Sequence, residues 1–180
     1  MNEEQNPWKI TSTKEVYDNN WIRVEHHEVI NPAGNPGIYG KVHFKNLAIG
    51  IVPIDEDGNT WLVGQYRFTI GQYSWEIPEG GSPEGTNPLD SAKRELLEET
   101  GLVAEEWTEV LKLYLSNSVS DELAYVYIAR GLKQQEAEPE ETEQLQVKKL
   151  PLIEVFKMVE DGLITDALSV TALLKVKSML

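Results

Sequence analysis

The sequence predicts an α+β protein in which a mixed-sheet sandwich follows a small N-terminal antiparallel β-sheet. Short runs rich in β-branched and aromatic residues recur along the chain, and few segments have helical periodicity. The turn-forming cluster NPAGNPG (31–37) separates two alternating runs near the N-terminus. A chain of 180 residues can hold one domain with a core and a smaller appendage. We therefore expect a β-sheet region over residues 1–45 and the main domain over residues 46–180.

The first half of the chain is predicted to be mostly strand. Residues 14–30 and 38–44 are the two arms of the N-terminal hairpin. The nearly continuous apolar run at 47–54 is typical of a buried strand. The sequence DEDGN (55–59) supplies an Asp-Gly turn, after which residues 60–68 return as the next strand.

The second half is predicted to hold more strands and two closing helices. Pro151 suits the first position of a helix, and Gly162 suits its C′ position. The last helix covers residues 165–180, with Thr165 or Asp166 as its N-cap. The other predicted elements are strands over 108–116, 123–132 and 145–150, and an acidic loop over 133–144.

A central helix is predicted between Asn87 and Gly101. Asn87 is a good N-cap, Pro88 suits the first helical position, and Gly101 suits C′. Its apolar positions share one face that can pack on a sheet, and they are Leu89, Ala92 and Leu96.

The same helix carries carboxylates at i, i+3 and i+4, on Glu95, Glu98 and Glu99. Like charges at this spacing destabilise a helix unless a cation lies among them. Arg94 can pair with Glu98 or Asp90, each four positions away. Converging carboxylates are hard oxygen ligands that suit Mg²⁺ or Mn²⁺. The alternative is a solvated acidic helix face, which is the commoner meaning of so short a pattern.

The composition excludes several classes of protein. The absence of cysteine excludes disulfide scaffolds, thiolate zinc sites and cysteine nucleophiles. A net charge of −14 argues against nucleic-acid binding through a basic face. No apolar run approaches the ~18 residues of a membrane helix, and the acidic start lacks the features of a signal peptide. We therefore expect a cytoplasmic protein that binds neither membranes nor nucleic acid. A phosphate substrate would need a locally inverted field, for which divalent cations are the usual means.

The stretch from Gly80 to Leu102 resembles the signature of the Nudix superfamily, G-x5-E-x7-R-E-U-x-E-E-x-G-U with U aliphatic. Every fixed position matches except one, because Thr86 stands where the family usually has glutamate. The resemblance implies an α/β/α Nudix sandwich that cleaves a nucleoside diphosphate linked to another moiety. It also implies that Mg²⁺ (or Mn²⁺) is held by the three helix glutamates, while position 86 is peripheral to the metals. The matching residues are Gly80, Arg94, Glu95, Leu96, Glu98, Glu99, Gly101 and Leu102.

Residues 63–81, VGQYRFTIGQYSWEIPEGG, resemble a run found in the ADP-ribose and nucleoside-diphosphate-sugar pyrophosphatase branch. This resemblance implies that Arg67 contacts substrate phosphate and that the main-chain carbonyl of Glu79 is a metal ligand. It also implies that Glu76 and Gly80 belong to the substrate site.

Two further features are similar to that branch. The loop SNSVSDE (116–122) resembles the branch's loop that brings a catalytic acid to the metals, a role that Glu122 fits. The branch's N-terminal β-region builds a homodimer, and its aromatic residues stack on the nucleobase. Trp21 and Tyr39 match those positions approximately, although such residues more often pack on a sheet face.

The implied reaction yields a nucleoside monophosphate and a phosphorylated sugar from a nucleotide-sugar substrate. Glu122 or a helix carboxylate such as Glu98 accepts the proton of the attacking water, and Arg94 steadies the helix carboxylates. Two alternatives keep the fold: a hydrolase of nucleoside triphosphates or dinucleoside polyphosphates, and a sensor that binds nucleotide sugar without cleaving it. A purely structural acidic domain is a third. The three histidines are predicted to be surface residues, and none of them converges with other metal ligands. They are His26, His27 and His43.

Overall fold

The computed structural model describes residues 5–135 and 145–180, which form two compact units. The first unit takes in the chain up to Asn46 together with residues 116–122, and the second takes in the rest. Most of the acidic loop predicted at 133–144 lies outside the described residues. The domain boundary predicted after residue 45 remains a prediction.

The first unit is a three-stranded antiparallel sheet. Its strands, in spatial order, are β1 (Lys9–Asp18), β2 (Ile22–Ile30) and β3 (Pro36–Phe44). The predicted hairpin is present as β2 and β3. The prediction of residues 14–30 as a single arm was wrong, because the chain turns at Asn19. The side-chain oxygen of Asn19 accepts hydrogen bonds from the N–H groups of Trp21 and Ile22, both at 2.8 Å, and this turn separates β1 from β2.

One predicted surface residue of this sheet is buried. His27 is 8% exposed, and its Nδ1 lies 2.8 Å from the hydroxyl of Thr13 on the neighbouring strand. The prediction failed because the alternation of β2 is imperfect, so its buried face could not be assigned from the sequence alone.

The second unit contains two sheets. Its strands are β4 (Asn46–Pro53), β5 (Asn59–Arg67), β6 (Gln72–Glu76), β7 (Glu79–Pro83), β8 (Leu102–Tyr114), β9 (Leu123–Gln134) and β10 (Gln146–Pro151). The mixed sheet has the order β7-β4-β9-β8, with β4 and β9 parallel and β8 and β9 antiparallel. The antiparallel sheet has the order β10-β5-β6.

The predicted Asp-Gly turn connects these two sheets. The carboxylate of Asp55 accepts hydrogen bonds from the N–H groups of Asp57 and Asn59, and Gly58 has a φ of 77°. The return strand predicted over 60–68 forms as β5, but it pairs with β10 and β6 in the other sheet. Turn chemistry is local, whereas the choice of sheet depends on distant strands.

The acidity of Asp55 makes this turn sensitive to pH. Burial raises the pKa of the Asp55 carboxyl, but hydrogen bonds from Lys149 and Asn59 outweigh it and lower the pKa from 3.8 to about 2. A depressed carboxyl pKa contributes stability that is present above the unfolded pKa and is lost as pH falls through the folded pKa. We expect Asp55→Asn to lower the free energy of unfolding by about 2 kcal/mol at pH 7. The loss should shrink between pH 4 and pH 2.

Urea unfolding at pH 7, 4 and 2.5 measures this difference. Asp57→Asn, an exposed acid in the same turn, is the matched control and should change stability little. An equal loss for Asp55→Asn at all three pH values would contradict an origin in the ionised carboxylate.

Three helices complete the second unit: α1 (Pro88–Thr100), α2 (Leu152–Glu160) and α3 (Ala167–Lys177). The predicted ends of α1 are confirmed, since the Asn87 side chain accepts a hydrogen bond from the N–H of Leu89 and Gly101 has a φ of 69°. Asp166 caps α3 by accepting from the N–H of Ser169, and α3 ends three residues before the predicted 180. Pro151 is the N-cap residue of α2 rather than its first helical residue. Among the described residues, no helix is long and apolar enough to cross a membrane.

The core lies on both faces of the mixed sheet. On one face, Ile49 and Ile51 of β4 pack with Ala92 and Leu96 of α1, as the apolar stripe of that helix predicted. On the other face, a larger cluster joins the sheet to the antiparallel sheet and to α2 and α3. A Cβ on Gly50 would lie 2.9 Å from Ile77, so this glycine allows close packing there. The packing holds the carboxylate-bearing side of α1 in place.

Candidate active site

The carboxylates of α1 are largely buried. Glu95 is 9% exposed and Glu99 is 5% exposed, and the side chain of Glu98 is 26% exposed. A solvated acidic helix face would leave these groups in water, so that alternative is excluded. Burying ionised carboxylates is unfavourable unless positive charge or hydrogen-bond donors accompany them.

Two contacts join α1 to the start of β7. Oε2 of Glu99 accepts a hydrogen bond from the main-chain N–H of Glu79 at 2.9 Å. Gly80 lies directly against the Glu95 side chain. A Cβ built on Gly80 would be 2.1 Å from the Glu95 carboxyl carbon. Only glycine leaves room for that carboxylate. The backbone at 79 and 80 is therefore fitted to the two buried glutamates.

Arg94 organises the same carboxylates. Its Nη1 donates to Glu98 at 2.7 Å, and its Nη2 donates to Glu95 at 2.6 Å and to the carbonyl of Gly81 at 2.8 Å. The predicted pairing of Arg94 with Glu98 is confirmed. The second carboxylate that Arg94 contacts is Glu95, not the alternative partner Asp90. Burial lowers the pKa of Arg94, but the charges of Glu95 and Glu98 outweigh this and raise the pKa overall. The guanidinium thus stays charged and fixes both side chains.

A second acidic group includes the Glu79 side chain, at the start of β7. Glu76, Glu79 and Asp166 each place a carboxylate oxygen within 4.8 Å of the others. Arg67 donates from Nε to both Glu76 oxygens at 3.0 Å and from Nη2 to Glu79 at 2.8 Å. Burial raises the pKa of Glu79 well above its usual range, and the charges of Asp166 and Glu76 raise it further.

Sequence reasoning missed Asp166 as a member of this group and identified it only as a helix cap. Ser169 Oγ accepts a hydrogen bond from the N–H of Ile77 at 3.0 Å, which holds the start of α3 against the segment that precedes β7. No local signal could reveal this contact, because the two segments are far apart in sequence. Thr86, the departure from the Nudix signature, is exposed, and its N–H donates to the carbonyl of Pro83 at 3.0 Å.

Two sets of oxygen donors near Glu79 are of the type that binds a hard divalent cation. One is the set of α1 carboxylates, and the other is the group of Glu76, Glu79 and Asp166, whose oxygens lie within 4.8 Å of one another. Carboxylates of Glu95, Glu98 and Glu99 and a main-chain carbonyl at Glu79 are the ligand types that Mg²⁺ and Mn²⁺ prefer. Among the described residues, Oε2 of Glu79 is buried and has no hydrogen-bond partner. A buried carboxylate oxygen without a partner is costly, and a nearby cation would offset that cost.

The remaining predicted residues lie in the first unit. Glu122 ends the loop 116–122, Trp21 is 65% exposed beside the β1–β2 turn, and Tyr39 lies on β3. A pocket of about 300 Å³ opens beside Tyr39. Its other aromatic wall is Trp8, whose ring centroid lies 5.5 Å from that of Tyr39, edge to face. Sequence reasoning missed Trp8, and Trp21 is not among the residues that line this pocket.

Comparison with known proteins identifies the family. The NUDIX domain model matches residues 44–168, well over half of the chain. The chain belongs to the Nudix family. In this Nudix chain, residues 8–42 also match the model described as the nucleoside diphosphate sugar hydrolase N-terminal domain.

Similar proteins include two ADP-ribose pyrophosphatases. The Mycobacterium tuberculosis protein is 35% identical over 136 residues, covering 73% of this Nudix chain and 65% of that protein. The Bacillus subtilis protein is 31% identical over 122 residues, covering 67% of the chain and 66% of that protein. The chain therefore spans just under two thirds of these relatives. A crystal structure of an ADP compounds hydrolase superposes with a TM-score of 0.87 at 25% identity, over 99% of this chain and 96% of that one. This match confirms the predicted fold class.

Proposed function

We propose that this Nudix chain is a Mg²⁺- or Mn²⁺-dependent pyrophosphohydrolase that cleaves the diphosphate of ADP-ribose or another nucleoside diphosphate sugar. The products are a nucleoside monophosphate and a sugar phosphate. The observation that carries the proposal is the fit of two buried carboxylates, Glu95 and Glu99, to the backbone of Glu79 and Gly80. Such a fit preorganises oxygen ligands on a rigid helix, as a catalytic cation site requires.

The residues that would hold the cation are Glu95, Glu98 and Glu99, with the main-chain carbonyl of Glu79. When bound, a divalent cation offsets the negative charge that builds on the phosphoryl oxygens in the transition state. Arg94 keeps two of these carboxylates in a fixed orientation before substrate arrives. The helix therefore needs little rearrangement during the reaction.

Arg67 is the proposed contact to substrate phosphate. The planar guanidinium suits phosphate recognition, and Glu76 and Glu79 already hold it in a defined orientation. Gly80 leaves space beside the carboxylates because it has no side chain. Glu122 is the proposed proton acceptor for the attacking water, with Glu98 as the helix alternative.

Several observations support a nucleotide sugar as the substrate. The N-terminal region matches a domain named for nucleoside diphosphate sugar hydrolases, and two relatives are named ADP-ribose pyrophosphatases. The pocket beside Tyr39 and Trp8 offers aromatic surface on which a nucleobase can stack. Trp21 remains a second candidate for that contact.

The N-terminal sheet also supports a homodimer. Strand β1 lies at the edge of its sheet and is exposed along its whole length, including Ile10, Val16 and Tyr17. An exposed edge with apolar side chains is a surface that proteins commonly cover by association. We propose that two copies of the chain pair through this sheet. We also propose that the protein acts in the cytoplasm.

A substrate screen tests the proposed function. Purified protein is incubated with ADP-ribose, ADP-glucose, GDP-mannose, UDP-sugars or ATP, with Mg²⁺ or with EDTA, and released nucleoside monophosphate is quantified. We expect turnover of at least one diphosphate sugar that requires the cation. Cleavage of ATP alone would support the triphosphate alternative, and tight binding of a nucleotide sugar without turnover would support the sensor alternative.

A further inference from the structure

The loop of residues 116–122 is fastened to β3 by a carboxylate that no motif singled out. Oδ2 of Asp121 accepts hydrogen bonds from Nζ of Lys41 at 2.8 Å and from Nδ1 of His43 at 2.7 Å. Oδ1 accepts from the main-chain N–H of Phe44 at 3.0 Å. One side chain thus receives donors from three neighbouring positions of the strand.

The geometry of β3 makes this possible. Lys41 and His43 are two residues apart, so their side chains point to the same face of the sheet. Burial raises the pKa of the Asp121 carboxyl, but hydrogen bonds from Lys41 and His43 outweigh it and lower the pKa to about 2. The carboxylate is therefore ionised at neutral pH, and its hydrogen bonds are charge-assisted.

The backbone of the loop follows the same strand. The N–H of Val42 donates to the carbonyl of Val119 at 2.9 Å, and the N–H of Asp121 donates to the carbonyl of Val42 at 3.2 Å. The Tyr39 hydroxyl donates to the carbonyl of Ser118 at 2.6 Å. The loop thus covers the open edge of β3, and β3 determines its course.

We propose that Asp121 is a positioning residue for Glu122, an inference that rests on the proposed function of Glu122 as proton acceptor. Glu122 is the next residue along the chain, so any movement of the Asp121 backbone displaces the start of Glu122. Proton transfer requires the acceptor within hydrogen-bond reach, and a misplacement of ~1 Å can reduce a rate up to ~100-fold. The hydrogen bonds from Lys41 and His43 to the Asp121 carboxylate hold that geometry.

Asp121→Asn tests the proposal. Asparagine keeps the shape of the side chain and an oxygen for the N–H of Phe44, but it removes the charge that attracts Lys41 and His43. We expect kcat at saturating substrate to fall about tenfold, because the geometry at the reacting groups is altered. KM should change as well, because Lys41 and residues 117–120 of the loop also line the pocket proposed for the nucleobase. Asp18→Asn is the matched control, since it removes an Asp–Lys pair, with Lys45, in the same unit and should leave kcat unchanged.

The substitution is repeated in a Glu122→Gln background, whose residual turnover is followed with radiolabelled substrate. If Asp121 acts through Glu122, Asp121→Asn causes no further loss there. An additional tenfold loss in that background, or an unchanged kcat in the single variant, would overturn the positioning role.

Hydrogen exchange followed by mass spectrometry gives a readout that does not depend on turnover. Peptides covering 116–122 should exchange faster in Asp121→Asn than in wild type or Asp18→Asn, because the loop is released from β3. Unchanged protection would refute the anchoring itself. A wild-type chain that hydrolyses no diphosphate sugar would refute the proposed function, whereas an active wild type with an unaffected Asp121→Asn variant would refute the positioning role alone.

Discussion

Glu99→Gln is expected to reduce the proposed cation-dependent hydrolysis of a nucleotide sugar by about a thousandfold. Glu99 is 5% exposed, and its Oε2 already accepts the N–H of Glu79, so it meets the backbone that supplies the proposed carbonyl ligand. Glutamine retains an oxygen for that hydrogen bond but loses the negative charge that attracts a cation. Charge stabilisation by a metal contributes several kcal/mol, and each ~1.4 kcal/mol corresponds to a tenfold change in rate.

The fold should survive this change. Removing one charge from a crowded acidic site reduces repulsion, so we expect the unfolding temperature without cation to stay equal or to rise. Ligand binding to the native state raises the unfolding temperature, and Mg²⁺ should therefore stabilise wild type more than Glu99→Gln. Both quantities can be measured by calorimetry with and without Mg²⁺.

Asp90→Asn is the matched control on the same helix. Asp90 is exposed in the first turn of α1, and the acid-to-amide change is chemically identical. It should leave the rate and the response to Mg²⁺ unaltered. If Glu99→Gln retained the wild-type rate, α1 would not be the cation site.

Local chemistry explains what the sequence predicted of this site. The caps at Asn87 and Gly101 and the apolar stripe of α1 depend on residues a few positions apart, and each formed as expected. The pairing of Arg94 with Glu98 follows from the i, i+4 spacing alone. The Nudix resemblance also covers this segment, and the family assignment confirms it.

Apart from the local turn at Asn19, the features that sequence reasoning missed depend on long-range packing. Asp166 joins Glu76 and Glu79 only because α3 packs against the segment before β7. Strand β5 enters a sheet with β10, a partner more than eighty residues away along the chain. Asp121 reaches β3 through contacts separated by 77 and 78 residues. Each contact is non-local, so no sequence period or turn motif marks it.

Gly80→Ala is expected to reduce hydrolysis by about a hundredfold through the addition of a single methyl group. The new Cβ would lie 2.1 Å from the carboxyl carbon of Glu95 and 2.3 Å from both of its oxygens, far inside contact distance. Gly80 does not have a positive φ, so alanine strains no backbone angle and the clash is the whole effect. The Glu95 carboxylate must move away from the backbone at residue 80, which misplaces a proposed ligand.

Overpacking at this position should also lower the free energy of unfolding, by about 1–3 kcal/mol. Gly40→Ala is the matched control, because a Cβ on Gly40 would meet nothing within 4 Å and its φ is not positive. Stability is measured by urea unfolding and activity by initial rates at saturating Mg²⁺.

The double variant Gly80→Ala, Glu95→Ala separates the two effects. Shortening Glu95 removes the clash, so the double variant should regain the stability lost in Gly80→Ala. It should remain inactive, because the carboxylate itself is gone. A double variant that regained activity as well would show that Glu95 is not a ligand, and that Gly80 matters only for packing.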